Sequence, residues 1–362
     1  MKIGILTFHR AHNYGAVLQT YGLQEYIKQL GHDVYIIDYF PHYIKKAYPK
    51  FSINNWLSKS PIRTIRKILK EPFLCRDRII RWNNFNRFIS ERLNLYPYKG
   101  HDNFSDFDAI ILGSDQIWNQ KITGGNFDKI YFGENAACKV ISYAASNQTV
   151  SLSIAEKEFY QKQLNHMTAI SVRENTLQQL LQPLTNKPIH LVLDPTLLSG
   201  INVFQKIAIS PKIHDKKYVL VYEITPHDYT QSIARNIAAQ IDADIIELVS
   251  TPLAGHLGQK RQTASPEEFI GYFKNAECII TTSFHGTAFS IMFNKPFYAV
   301  RQNKNVDIRI SSLLSTIGLE NRFIDNNITP SFSNIDYKES NKLLQQQVKQ
   351  SQFYLKNALT CI

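Results

Sequence analysis

Four short segments of this 362-residue chain gather side chains that bind anions and move protons. They are 9–15, holding His9, Asn13, Tyr14 and Gly15; 113–119, holding Asp115, Gln116, Trp118 and Asn119; 171–174, ending in Arg173 and Glu174; and 281–287, holding Ser283, His285, Gly286 and Thr287. The last is the richest. An apolar run leads straight into small hydroxylated residues, a histidine and a glycine that lets a ligand approach the backbone. If a helix starts there, the amides of Gly286, Thr287 and Ala288 cradle a phosphate, and His285 stands beside it for proton transfer or anion pairing. The plainer alternative is a Ser-capped helix whose histidine satisfies a buried carbonyl. The strand-end setting and the flanking Gly-Thr favour the functional reading.

Arg173 follows an apolar run and fits a carboxylate or phosphate in bidentate fashion, or pairs with Glu174. Asp115 stands in a loop with Gln116, Trp118 and Asn119. Polar groups beside an indole suit a sugar, and a carboxylate there takes a hydroxyl proton. The competing reading is an Asx turn with Trp118 in the core. Asn13, Tyr14 and Gly15 serve either polar substrate contact or a glycine-assisted helix entry.

Such loops need a frame that brings strand ends together. The run 2–8, the helical pattern 17–30 closed by Gly31, and the run 34–39 form a βαβ unit, which requires a parallel sheet with right-handed crossovers. Alternation resumes with strands near 107–112, 139–144, 168–172 and 189–193, until Asp194-Pro195-Thr196 breaks it. A second series follows, with strands at 218–224, 244–249, 278–282 and 297–301. Its helices cover 227–241, 266–274 and 286–293, that at 266 capped by Ser265 with Glu267 and Glu268 in its first turn. A Gln-rich helix over 345–359 closes the chain. The expectation is α/β: two Rossmann-like domains facing across a cleft, over 1–194 and 195–336, with 337–362 a final helix free to pack back on the first domain.

Net charge is +11, and twelve basic against two acidic residues lie within 44–87. Apolar residues interleave with these charges, partly at helical spacing. This is either a basic amphipathic helix pair on an anionic membrane surface or a helical insertion packing its apolar stripe on the domain. No RRM, KH or zinc signature accompanies the charge, so a nucleic-acid-binding protein is a distant alternative. Cys75, Cys138, Cys278 and Cys361 are scattered and read as reduced thiols. With no signal-like h-region and no membrane-length apolar stretch, the expected location is the cytoplasm, or the inner membrane face through 44–87. Dinucleotide, P-loop and serine-hydrolase motifs are missing. Asp242-Ala243-Asp244 reads as a turn, and no metal site is expected.

Taken together, 2–8, Asn13 to Gln19, 113–119, Ser171-Val172-Arg173-Glu174, Asp194-Pro195-Thr196 and Ser283-Phe284-His285-Gly286-Thr287 resemble the polysaccharide pyruvyl transferase family, in order and across nearly the whole chain. The resemblance implies a GT-B-like fold and transfer of pyruvate from phosphoenolpyruvate to paired sugar hydroxyls as a cyclic ketal. It implies no tightly bound cofactor, a sugar acceptor that is lipid-linked, nucleotide-linked or polymeric, and roles for Asp115, Arg173 and His285 in catalysis or donor binding. Ser283, Gly286 and Thr287 complete the donor side; Asn13, Tyr14, Gln116, Trp118 and Asn119 the acceptor side. Family members often carry Arg-Leu-His where this chain has Ser283-Phe284-His285. The missing cation is therefore expected at Arg301 or Lys304. The nearest alternative is a GT-B glycosyltransferase using a nucleotide sugar.

Overall fold

The computed structural model describes residues 1–49, 61–100, 103–212, 216–223, 228–249, 259–302, 304–325 and 327–360, with side chains of 61–75 and 304–306 outside that description. Its first half runs β1 (Lys2–Leu6), α1 (Tyr14–Gln29), β2 (Asp33–Asp38), α2 (His42–Ala47), α3 (Pro61–Arg92), β3 (Leu95–Pro97), β4 (Ala109–Leu112), β5 (Lys139–Ser142), α4 (Ile154–His166), β6 (Ile170–Val172), α5 (Asn175–Leu181) and β7 (Ile189–Leu191). The second runs α6 (Pro195–Ser199), α7 (Ile201–Gln205), β8 (Tyr218–Tyr222), α8 (Asp228–Ile241), β9 (Asp244–Leu248), β10 (Gln259–Arg261), α9 (Pro266–Asn275), β11 (Cys278–Thr281), α10 (Phe284–Met292), β12 (Phe297–Val300), α11 (Lys304–Thr316), β13 (Phe323–Ile324) and α12 (Lys338–Thr360).

The strands build two parallel sheets, ordered β3-β2-β1-β4-β5 and β10-β9-β8-β11-β12-β13, with β6 and β7 paired beside the first. Bridges from Ile141 to Ala169 and from Ala145 to Val172 attach that pair to the first sheet. The fold is α/β with two Rossmann-like domains. Central strands β4, β8, β11 and β12 are buried throughout, as parallel strands covered on both faces must be. One hydrophobic cluster contains Ile3 and Ile5 of the first sheet together with Leu220 and Ile279 of the second, so the two sheets share a core.

Local sequence sets the helix entries. Asn13 caps α1 by accepting from the Ala16 amide at 3.3 Å. Ser153 with Glu156, and Ser265 with Glu268, form reciprocal capping boxes on α4 and α9. Asp242 adopts φ 48 at the turn into β9, in keeping with the turn expected for the acidic pair there.

The basic segment contains helices α2 and α3. Residues 50–60 and the side chains of 61–75, which include Arg63, Arg66, Lys67 and Lys70, lie outside the described residues. The described part of α3 is packed: Phe85, Phe88 and Ile89 are fully buried. Arg81 donates to Tyr14 Oη at 2.7 Å, to the Gln262 carbonyl at 3.3 Å and to the His12 carbonyl at 3.1 Å. Asn84 reaches the Thr263 carbonyl at 2.7 Å, and Arg92 pairs with Glu267 at 3.7 Å. This half of the helix straps α1 to the segment leading into α9. Helix α12 lies against the first sheet: Tyr354 donates to the Ser142 carbonyl at 2.7 Å, and Ser351 accepts from the Leu193 amide at 2.9 Å. No described helix is long and apolar enough to cross a membrane.

Candidate active site

Ligands of parallel sheets bind beyond strand carboxyl ends. Here the ends of β4, β6, β7 and β11 deliver Asp115, Arg173, Asp194 and the Ser283–His285 turn to one place. Asp194 is its hub. It is 1% exposed and accepts from Arg173 Nη1 at 2.5 Å, from Ser114 Oγ at 3.3 Å, and from Thr196 Oγ1 and N at 2.8 and 3.0 Å. His285 Nε2 stands 3.6 Å from Asp194 Oδ2. Burial alone would raise the Asp194 carboxyl, but His285 and Arg173 outweigh it and hold the group well below the usual carboxylate range. Burial likewise opposes the Arg173 charge, and Asp194, Glu174 and Asp115 overcome it. Arg173 Nη2 lies 3.7 Å from Asp115 Oδ1, tying Asp115 to the same network.

Asp115 itself sits at φ 78, a left-handed conformation that a non-glycine residue adopts at a cost. Its Oδ1 accepts from the amide of the next residue, Gln116, at 2.8 Å. Glu174, fully buried, takes the Ser146 hydroxyl, and burial pushes its carboxyl upward.

In front of this network lies a cavity of about 300 Å³ lined by Asn13, Asp115, Gln116, Ser283, His285 and Arg309, with Tyr43, Tyr48 and Lys121 on its far wall. Arg309, from the middle of α11, is 8% exposed. Its guanidinium lies 5.8 Å from the centre of the Phe284 ring, and that of Arg173 lies 4.6 Å from the same ring. Burial, and next the Arg173 charge, pull Arg309 down to about 10. Buried donors Arg173 Nε and Nη2, Arg309 Nε and His285 Nε2 lack hydrogen-bond partners among the described residues. Two buried guanidinium groups with unspent hydrogen bonds, beside an imidazole, are suited to an anion.

The strand-end reading brings Asp115, Arg173, Ser283, His285, Gln116 and Asn13 together, and the structure reassigns the others. Gly286 is a glycine because a Cβ there would lie 2.2 Å from Thr281 Oγ1; it lets the helix approach β11, not a ligand. The Gly286 amide donates to Ser283 Oγ at 3.4 Å and the Thr287 amide to the Ser283 carbonyl at 2.9 Å, so both are spent on the cap instead of a phosphate. Trp118 is fully buried, stacked on Phe132 at 5.2 Å with its indole N–H on the Tyr131 carbonyl at 3.0 Å; it is core, not a sugar platform. Asn119 is a buried turn residue that accepts from the Lys121 amide at 3.1 Å. Tyr14 stacks on Phe269 at 4.4 Å and donates to the Ala264 carbonyl at 2.8 Å, joining the two domains instead of facing the cavity. Arg301 pairs with Asp325 at 3.0 Å and lies over Phe323, away from the cavity lining. The Lys304 side chain falls outside the described residues.

Asp194 and Arg309 were missed as site residues. Asp194 lay in view in the Asp-Pro-Thr break, where its capping of α6 masked its second face. Arg309 lies within a helix with no local signal, and only the sheet topology carries it to the cavity.

A sequence profile of the polysaccharide pyruvyl transferase family matches residues 13–304, a span that contains Asp115, Arg173, Asp194 and His285. The chain belongs to this family. Of the residues lining this pyruvyl transferase's cavity, Phe8, Ala11 and Arg309 lie beyond the matched span. No curated protein sequence matches the chain significantly. Among solved structures, it is similar to a UDP-N-acetylglucosamine 2-epimerase from Rickettsia bellii, at 10% identity and TM-score 0.49, covering 99% of this chain and 95% of that one. It is also similar to the UDP-GlcNAc 2-epimerase from Methanocaldococcus jannaschii, at 12% identity and TM-score 0.49, covering 96% and 93%.

Proposed function

We propose that this pyruvyl transferase moves pyruvate from phosphoenolpyruvate onto two hydroxyls of a sugar in a cell-surface polysaccharide or its precursor, closing a cyclic ketal and releasing phosphate. The observation that carries the reading is the meeting, in the lining of one cavity, of the Asp115 carboxylate with His285 and the buried, partly unsatisfied Arg309, with Arg173 3.7 Å from Asp115 behind them. The donor is a small multiple anion, and the acceptor brings hydroxyls that must lose protons.

Protonation of the donor's methylene carbon leaves positive character at C2, which one sugar hydroxyl attacks. Asp115 takes the hydroxyl proton as general base. Arg173 holds a donor anion through the edge that Asp194 leaves unused. His285 binds the phosphate and protonates it as the C2–O bond breaks, and Asp194 stabilises the imidazolium. The second hydroxyl then attacks C2 and closes the ring, losing its own proton.

The test is incubation of enzyme, phosphoenolpyruvate and candidate lipid-linked or nucleotide-linked oligosaccharides, followed by mass spectrometry and phosphate assay. Equimolar phosphate and pyruvylated sugar are expected, with loss of both in Arg173→Ala and His285→Ala. Wild-type turnover and donor affinity in those variants would sink the assignment. Release of a nucleoside diphosphate from a sugar donor would establish the glycosyltransferase alternative instead.

A further inference from the structure

Position 283 holds serine, and a cation is still required if a donor with two anionic groups is to be neutralised in this cavity. Neither Arg301 nor any described lysine near β12 meets that need, because Arg301 is engaged with Asp325 at 3.0 Å. Arg309 lies in the middle of α11 and lines the cavity, and its guanidinium and that of Arg173 approach the same Phe284 ring, at 5.8 and 4.6 Å from its centre. It is held in place: with the Gln116 amide oxygen turned toward it, that oxygen accepts from Nη2 at 3.2 Å and Nη1 at 3.3 Å. Yet Nε has no partner, and no carboxylate among the described residues lies within ion-pairing distance of the guanidinium. A buried arginine beside another arginine, favoured by Glu174, Asp115 and Asp194 only from beyond ion-pairing distance and not enough to offset its burial, is an arrangement a folded chain keeps only at a cost in stability. A ligand anion between the two guanidinium groups removes that cost.

We infer that Arg309 is the donor-binding cation that takes the place of the arginine absent at position 283, closing on the phosphoenolpyruvate anion from the acceptor side of the cavity. The inference rests on the proposed donor. Phe284 then serves as the common platform that spaces the two guanidinium groups, and Gln116 as the positioning residue that aims Arg309.

Isothermal titration of phosphoenolpyruvate into wild type, Arg173→Ala and Arg309→Ala, paired with thermal melts without ligand, tests it. The expected result for Arg309→Ala is donor binding weakened about tenfold or more, as for a lost charge-assisted contact, with an unliganded melting temperature equal to or above wild type. Should Arg309→Ala fail to fold, Arg309→Gln, which keeps the stem over Phe284, carries the same reading. Binding by an Arg309 variant within about twofold of wild type, while Arg173→Ala has lost it, overturns the role of Arg309 and leaves the donor intact. Absence of binding by wild type overturns the donor itself, and with it this assignment.

Discussion

Gly15 shows how one missing side chain shapes the site. A Cβ built there would lie 2.0 Å from His285 Nδ1, so the imidazole rests on bare backbone at the first turn of α1. This contact explains the Asn-Tyr-Gly sequence better than turn chemistry, since Tyr14–Gln29 is already capped by Asn13. In Gly15→Ala the ring must move, and its distance to Asp194 with it. Turnover is expected to fall about a hundredfold, the scale set by a misplacement near 1 Å, while circular dichroism stays native. Turnover within a fewfold of wild type would show that His285 position does not matter. At this scale the sequence singled out His285, Arg173 and Asp115, because each lies in the turn that follows an apolar strand. It concealed Arg309, whose neighbours Ile308 and Ile310 are an ordinary helical context, and it offered Trp118 as a sugar platform although only the packing against Phe132 decides an indole's role.

At the level of elements, α3 acts through its packed half. His12, in the loop before α1, lies between α3 rings, 5.3 Å from Phe85 in a stacked arrangement, and its Nε2 accepts from Asn86 at 3.2 Å. Burial, then Arg81 and Arg10, lower its pKa from 6.5 to about 4. The unfolded chain therefore binds a proton between those values that the folded chain refuses. Stability contributed by neutral His12 is complete above 6.5 and drains away as pH falls toward about 4. In His12→Gln the melting temperature should decline less steeply across that window than in wild type; parallel curves would remove His12 from the account. Elements such as β1, β11 and α8 were legible because their burial follows their sequence pattern. The edge strands were not: Leu95–Pro97, Gln259–Arg261 and Phe323–Ile324 are two or three residues long, and pairing to a neighbour creates them.

For the molecule as a whole, the site exists only where two sheets meet. Asp115, Arg173 and Asp194 come with the first, His285 and Arg309 with the second, and a shared core fixes their relation. Ser351 on α12 supports that junction by accepting from the Leu193 amide, one residue before Asp194. Ser351→Ala leaves a buried N–H unpaired and should cost about 1–3 kcal/mol in chemical denaturation, with a lower kcat because the Asp194 backbone loosens. Unchanged stability and kcat would detach α12 from the site.

That same bond joins positions 158 residues apart. During synthesis the first sheet leaves the ribosome long before the helix that secures it, and the second sheet is made in between. Contacts so distant in sequence close late, after the loop entropy between them has been overcome. The Asp194 carboxylate is thus among the last groups to be fixed, and a chain interrupted before Lys338 would carry the named site residues in a frame still waiting for its final clasp.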